Sequence, residues 1–171
     1  MTDVKERFGI EPGGGGPLDS LGFLLSQLGF EGSRRFHAAL APLGIDPRHF
    51  LLLRFVAREE GRSQQALGEM LRIPASRMVA LVDQLEERGL LERRANPHDR
   101  RARALHVTPA GRRLMSRALK RATAHEMSLG TTLSDAERSS LVALLQKLAV
   151  EMQLTSGVHP GLSVEHEQPE D

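Results

Sequence analysis

Three Xaa-Pro steps divide this chain more firmly than any hydrophobic pattern: Asp46-Pro47, Ile73-Pro74 and Thr108-Pro109. Proline holds φ at about −65° and has no N–H to donate, so it suits the first position of a helix and little beyond it. Each step predicts a helix start, and at two of them the preceding Asp46 or Thr108 can cap it. Between the second and third starts the period changes. Met78, Leu81, Val82 and Leu85 recur at helical spacing, whereas LLERR (90–94) and RALHV (103–107) read as strands around an Asn96-Pro97-His98-Asp99 turn. One hairpin with helices on both sides is the pattern to be explained.

The remaining helices follow from stripes and caps. A first helix is predicted over 17–42, with Leu18, Leu21, Leu25, Leu28, Phe36 and Leu40 on one stripe and Phe23, Leu24 and Phe30 off it. A helix apolar on several sides wants more than one packing surface, and a second subunit can supply it. The second helix runs from Pro47 through Phe50, Leu53 and Val56 and ends at Gly61. Ser63 caps a short third, QQALGEML, and the fourth, ASRMVALVDQLEERG, stops at Gly89. The fifth is expected from Pro109 to Leu133. Ser134 and Glu137 form a capping box for a sixth, which carries Leu141, Leu144, Leu145, Leu148 and Met152 on one face. Residues 1–16, with four consecutive glycines, and the polar, acidic 155–171 are expected not to pack.

Two short helices, a tight turn, a longer helix and a basic hairpin make a winged helix-turn-helix. The expected fold is mainly α with a small β wing. The winged domain covers 46–108, and a helical region of 17–45 and 109–154 flanks it. The core must be built mainly from Leu, Val, Met and Ala, since the chain has six Phe and no Tyr, Trp or Cys. The lack of cysteine excludes a disulfide framework, a thiolate metal site and a cysteine redox switch. No apolar run approaches the roughly 18 residues of a membrane span. The opening MTDVKERFGIEPGGGG lacks the apolar core of a secretory signal, so a cytoplasmic protein is expected.

Net charge is only +1, but it is unevenly spread. Residues 62–121 hold 14 Lys/Arg against 6 Asp/Glu, leaving 9 against 16 elsewhere. A basic middle between acidic flanks is the footprint of a polyanion-binding surface, though a solvated charged face reads the same on charge alone.

The stretches LVDQLEERGLLERR (81–94) and NPHDRRARALHVTPAG (96–111) carry a more specific signal. An aspartate with arginines at the wing tip, a strand and then Thr108-x-x-Gly111 resemble the MarR family of bacterial transcriptional regulators. The resemblance extends from about Leu18 to Leu154. It implies a winged-helix regulator, by family habit a repressor, that binds double-stranded DNA. It also implies a two-fold homodimer through the first, fifth and sixth helices, reading a pseudo-palindrome. Arg101 would be the wing residue entering the minor groove, where negative potential is concentrated. Asp99 would orient it.

On the fourth helix the residues facing away from the inward stripe are Ser76, Arg77, Ala80 and Gln84. Arg77 suits guanine, Gln84 suits adenine, and Ala75 or Ala80 suits a thymine methyl. From Pro74 to Gly89 this helix is nevertheless net −1, with Asp83, Glu86 and Glu87 against Arg77 and Arg88. Affinity must therefore come from the hairpin, where Arg93, Arg94, Arg100, Arg101 and Arg103 give residues 92–103 a charge of +3. Ser63, Gln64 and Gln65, at the start of the third helix, are candidates for phosphate contact.

By the same resemblance, DNA is often released when a small molecule binds between the dimer helices and the winged domain. Arg34, Arg35, His37, His49 and Arg54 lie on segments bordering such a cleft. For each of them, plain surface charge is the simpler reading. No two of the seven histidines share the i, i+3 or i+4 spacing of a helical ligand pair, so no metal or cofactor is expected. No nucleophile–base pair or phosphate loop points to an enzyme. The competing reading is a winged-helix module that binds protein and has no DNA specificity.

Overall fold

The computed structural model describes residues 20–96, 99–155 and 157–159, with the side chains of 96 and 99–102 outside that description. The six expected helices and the hairpin are all present: α1 Leu21–Leu40, α2 Pro47–Arg58, α3 Gln64–Leu71, α4 Ala75–Glu87, β1 Leu91–Asn96, β2 Asp99–Val107, α5 Pro109–Ser128 and α6 Asp135–Glu151.

The helix starts are held by side-chain caps. The side chains of Asp46, Ser63, Thr108 and Ser134 accept from the backbone N–H of His49, Ala66, Gly111 and Glu137 respectively, each satisfying a donor that the first turn leaves open. Several ends differ from expectation: α2 stops at Arg58 and α4 at Glu87, short of Gly61 and Gly89. α1 stops at Leu40 and gives way to one 3-10 turn, Ala41–Leu43, closed by Gly44 at φ 68°. α5 stops at Ser128 rather than Leu133, because Leu129 turns extended and Gly130 is left-handed at φ 62°. Arg138 then donates to the carbonyls of Leu129 and Gly130, covering the end of the helix.

The strands pair antiparallel, with Leu91 opposite Val107, Arg93 opposite Leu105 and Ala95 opposite Arg103. The pairing is longer than LLERR and RALHV, and its register breaks between Ala95 and Asn96. Residues 61–63 add a short third edge. Gly61 N–H donates to Leu105 O (3.1 Å), Leu105 N–H donates to Arg62 O (2.9 Å), and Ser63 bridges Ala104.

Met78, Leu81, Val82 and Leu85 are all buried, in one core with Leu52, Leu53, Val56, Leu67, Leu71, Leu91, Leu105 and Val107. Each such side chain contributes about 1.5–3 kcal/mol on leaving water. A smaller core of Leu40, Leu43, Ile45, Phe50 and Ala118 joins α1 and α2 to α5. Val158 also packs against the main core, so the stretch expected not to pack does so at that point.

The outer helices keep much of their apolar surface outside. α6 buries none of its residues. Leu141, Val142, Leu144, Leu145 and Val150 on it are exposed, as are Leu21, Leu24, Leu28 and Phe30 on α1. Among the described residues no helix is long and apolar enough to cross a membrane.

Candidate nucleic-acid interface

Two residues of the Thr-x-x-Gly stretch seat the wing against the rest of the domain. Thr108 Oγ1 donates to Gly89 O (2.6 Å) and accepts from Gly111 N–H (3.0 Å). At Gly111 the backbones run so close that an added Cβ would lie 2.1 Å from Leu90 O. Glycine is required there by proximity, not by its φ. Nearby, Glu60 pairs with Arg112 at 2.6 Å and accepts from Val107 N–H, fixing the far end of β2 to α5.

On α4 the outer face carries Ala75, Ser76 and Ala80 exposed and Arg77 half-buried. Val79 stands exposed among them and was not foreseen, although its place one residue off the inward stripe could have shown it. Beside this face lie Gln64 and Gln65 of α3. Gln65 Nε2 donates to Glu69 at 2.9 Å.

Arg93 is placed differently from a simple phosphate contact. Its guanidinium pairs with Asp83 at 2.6 Å and with Glu86, and it donates to Gln64 Oε1 at 3.0 Å. Its backbone N–H also donates to Glu86 (3.0 Å). Partial burial works against the guanidinium's charge, yet the hydrogen bonds to Asp83 and Glu86 raise its pKa above the usual arginine value. β1 thus neutralises two of the three carboxylates on α4, the helix whose negative charge was the difficulty in the sequence.

Gln84 is exposed, but its Oε1 is taken by His49 Nε2 at 2.8 Å. Arg94 is exposed and bonded to Glu92 (2.5 Å), and Arg103 is exposed on β2. Asp99, Arg100 and Arg101 are in β2 by backbone, and their side chains lie outside the described residues.

A cleft of about 480 Å³ opens between α1, α2 and α5. His37 and Arg54 line it, whereas Arg34, Arg35 and His49 do not. Arg34 and Arg35 both bind Glu31, and the hydrogen bonds from these two lower its carboxyl pKa to about 2. Arg48, Phe36, His125 and His159 also line the cleft and were missed. The Phe36 ring stacks on His125 at 5.4 Å and meets Phe50 edge-on at 6.1 Å, and Arg54 sits 5.7 Å from the Phe50 ring centre. Aromatic walls beside two guanidinium groups suit a flat apolar body that carries negative charge. Among the described residues no group of three or more His, Asp or Glu is assembled for a metal.

The cleft reaches the start of α2 at Pro47 and Arg48, next to the capping Asp46. Burial opposes the charge of this carboxylate, but hydrogen bonds from His49 and Arg48 outweigh burial and hold its pKa far below the usual range. Its ionised form therefore adds stability that is complete above about pH 4 and is lost as pH falls below that value. Asp46→Ala should cost about 1–2 kcal/mol at neutral pH. Urea titrations should show the gap to wild type narrowing below pH 4, and a gap independent of pH would refute this account.

The comparisons with known proteins agree with this geometry. Residues 43–102 match the MarR family model. A putative transcriptional regulatory protein for the hcr operon of Thauera aromatica is 34% identical over 135 residues, covering 78% of this chain and 81% of that protein. The transcriptional repressor CouR bound to a 23-mer DNA duplex superposes with a TM-score of 0.70 at 33% identity, covering 82% of this chain and 99% of that one. CouR from Rhodococcus jostii RHA1 bound to p-coumaroyl-CoA gives 0.62 at 34% identity, over 77% and 92% of the two chains. With the winged helix, the seated Thr-x-x-Gly turn and these relatives in agreement, the chain belongs to the MarR family of transcriptional regulators, DNA-binding proteins rather than enzymes.

Proposed function

We propose that this protein is a homodimeric repressor that reads a pseudo-palindromic operator and is released by a small aromatic anion. One observation carries the DNA reading: the outer face of α4 offers small and uncharged side chains beside Arg77, while Arg93 holds two of that helix's carboxylates. Ala75, Ser76, Arg77 and Ala80 face the base edges. Ser63, Gln64 and Gln65 meet phosphate, with Arg94, Arg100 and Arg103 adding charge from the wing. Arg101, oriented by Asp99, enters the minor groove. The exposed apolar faces of α1 and α6 favour the dimer, since monomers rarely leave so large a patch in water. The effector class rests on the Phe36, Phe50 and His125 walls with Arg48 and Arg54, and on the p-aminosalicylic acid bound by a MarR family protein of Mycobacterium tuberculosis that is 26% identical.

Fluorescence anisotropy with labelled duplex from the gene's own upstream region, against random competitor, tests the reading. Wild type should bind specifically and lose affinity steeply as salt rises, because phosphate contacts release counterions. Arg101→Ala should weaken specific binding by at least tenfold. A silent Arg101→Ala would favour the protein-binding module. Sedimentation velocity should give twice the 18.8 kDa of one chain, and a monomer at micromolar concentration would remove the dimer from the proposal.

A further inference from the structure

The cleft and α4 are joined by a run of side chains. Arg48 lines the cleft and grips Asp46 Oδ2 through Nε (3.0 Å) and Nη2 (2.6 Å). Asp46 Oδ1 accepts from the His49 backbone N–H at 3.0 Å and lies 3.1 Å from the ring Nδ1. The other ring nitrogen, Nε2, faces Gln84 Oε1 on α4 at 2.8 Å. An amide oxygen only accepts, so Nε2 donates to it, while Nδ1 accepts from the Asp46 backbone N–H at 3.4 Å. One turn further along, Arg88 donates to Gly44 O at 2.7 Å. The C-terminal half of α4 is therefore tied twice to residues 44–49, the segment that leads into the cleft.

We infer that Arg48, Asp46, His49 and Gln84 form a positioning chain that couples occupancy of the cleft to the pose of α4. In this arrangement Gln84 is a strut held from α2, not a reader of adenine. A carboxylate in the cleft competes with Asp46 for the Arg48 guanidinium. As the guanidinium turns to the ligand, Asp46 Oδ2 loses its partner and the His49 ring loses its fixed frame. The bond to Gln84 then weakens. An effector acts on DNA affinity only through such a difference between two states of one element. The functional meaning of this chain rests on the proposed function above, whereas the coupling itself can be tested without DNA or effector.

Hydrogen exchange of the full chain, read by mass spectrometry over residues 80–89, is the test. Arg48→Ala and Gln84→Ala should each speed exchange several-fold, and the double variant should be no faster than the faster single one. Arg48→Lys, which keeps a cation for Asp46, should recover most of the protection. Arg121→Ala, which removes an arginine bonded to Ala39 O and outside the Arg48–Asp46–His49–Gln84 chain, serves as the control and should match wild type. Unchanged exchange in Arg48→Ala, or additive effects in the double variant, would overturn the coupling. In a second arm, p-aminosalicylic acid, a small aromatic carboxylate, is the probe. It should weaken operator binding by wild type and do so several-fold less in Gln84→Ala. A probe that fails to bind wild type counts against the proposed effector class, while the exchange result still decides the coupling.

Discussion

Gly111→Ala should melt about 10 °C below wild type, a loss of about 3 kcal/mol. The new methyl group would sit 2.1 Å from Leu90 O, 2.8 Å from Val107 Cγ1 and 3.0 Å from the Leu90 carbonyl carbon. Two of those three atoms are backbone, and they belong to the entry of β1. Relief requires α5 to lift off the strands, which also pulls Thr108 from Gly89 O. Alanine has the better helix propensity by about 1 kcal/mol, so intrinsic preference alone predicts the opposite sign. Gly68→Ala is the matched control. Its methyl would stand 3.4 Å from Ile73 O, an ordinary contact, and it should melt within a few degrees of wild type. Thermal melts followed by circular dichroism compare the two, and a Gly111→Ala protein as stable as wild type would remove the close-approach explanation.

The second large effect is expected at Arg93. Arg93→Ala should reduce operator affinity more than tenfold while costing only about 1 kcal/mol of stability, since Asp83 and Glu86 are partly exposed and screened by solvent. Its main consequence is electrostatic: two carboxylates come free on the helix that approaches a polyanion. Neutralising them in the same background, with Asp83→Asn and Glu86→Gln, should restore most of the affinity. A phosphate contact at Arg93 predicts something else. Its loss would lower the salt dependence by about one counterion and would not be rescued by changes on α4. Failure of the rescue, with a reduced salt slope, would return Arg93 to the role of phosphate ligand. Arg93→Lys should recover only part of the binding, because an ammonium cannot span Asp83, Glu86 and Gln64 as the planar fork does.

What the sequence discloses and what it hides divide by range. Asp46, Ser63, Thr108 and Ser134 cap helices whose first N–H groups are three residues away, and the stripe of Met78, Leu81, Val82 and Leu85 repeats within two turns. Both signals are local and both were read. The end of α5 was misread because apolar residues continue to Leu133, while an extended Leu129 and a left-handed Gly130 make the turn. The pairings that escaped notice are made over long separations. Arg93 binds Gln64 across 29 positions and His49 binds Gln84 across 35. Phe36 stacks on His125 from a different helix altogether. No periodicity reports such a meeting. Even Thr-x-x-Gly, visible as a motif, concealed its reason, which is the carbonyl of Leu90.

α6 has a further consequence. With Leu144, Leu145 and Val150 turned outward and no residue of its own buried, this helix gains little from the subunit that carries it. On the dimer reading its order is set by mass action, so the melting temperature should climb with protein concentration. A chain made at low copy number would spend more of its life with α6 frayed and open to proteases. The amount of regulator in a cell would then be limited from below by assembly: scarce subunits are cleared, and only those that have found a second copy persist.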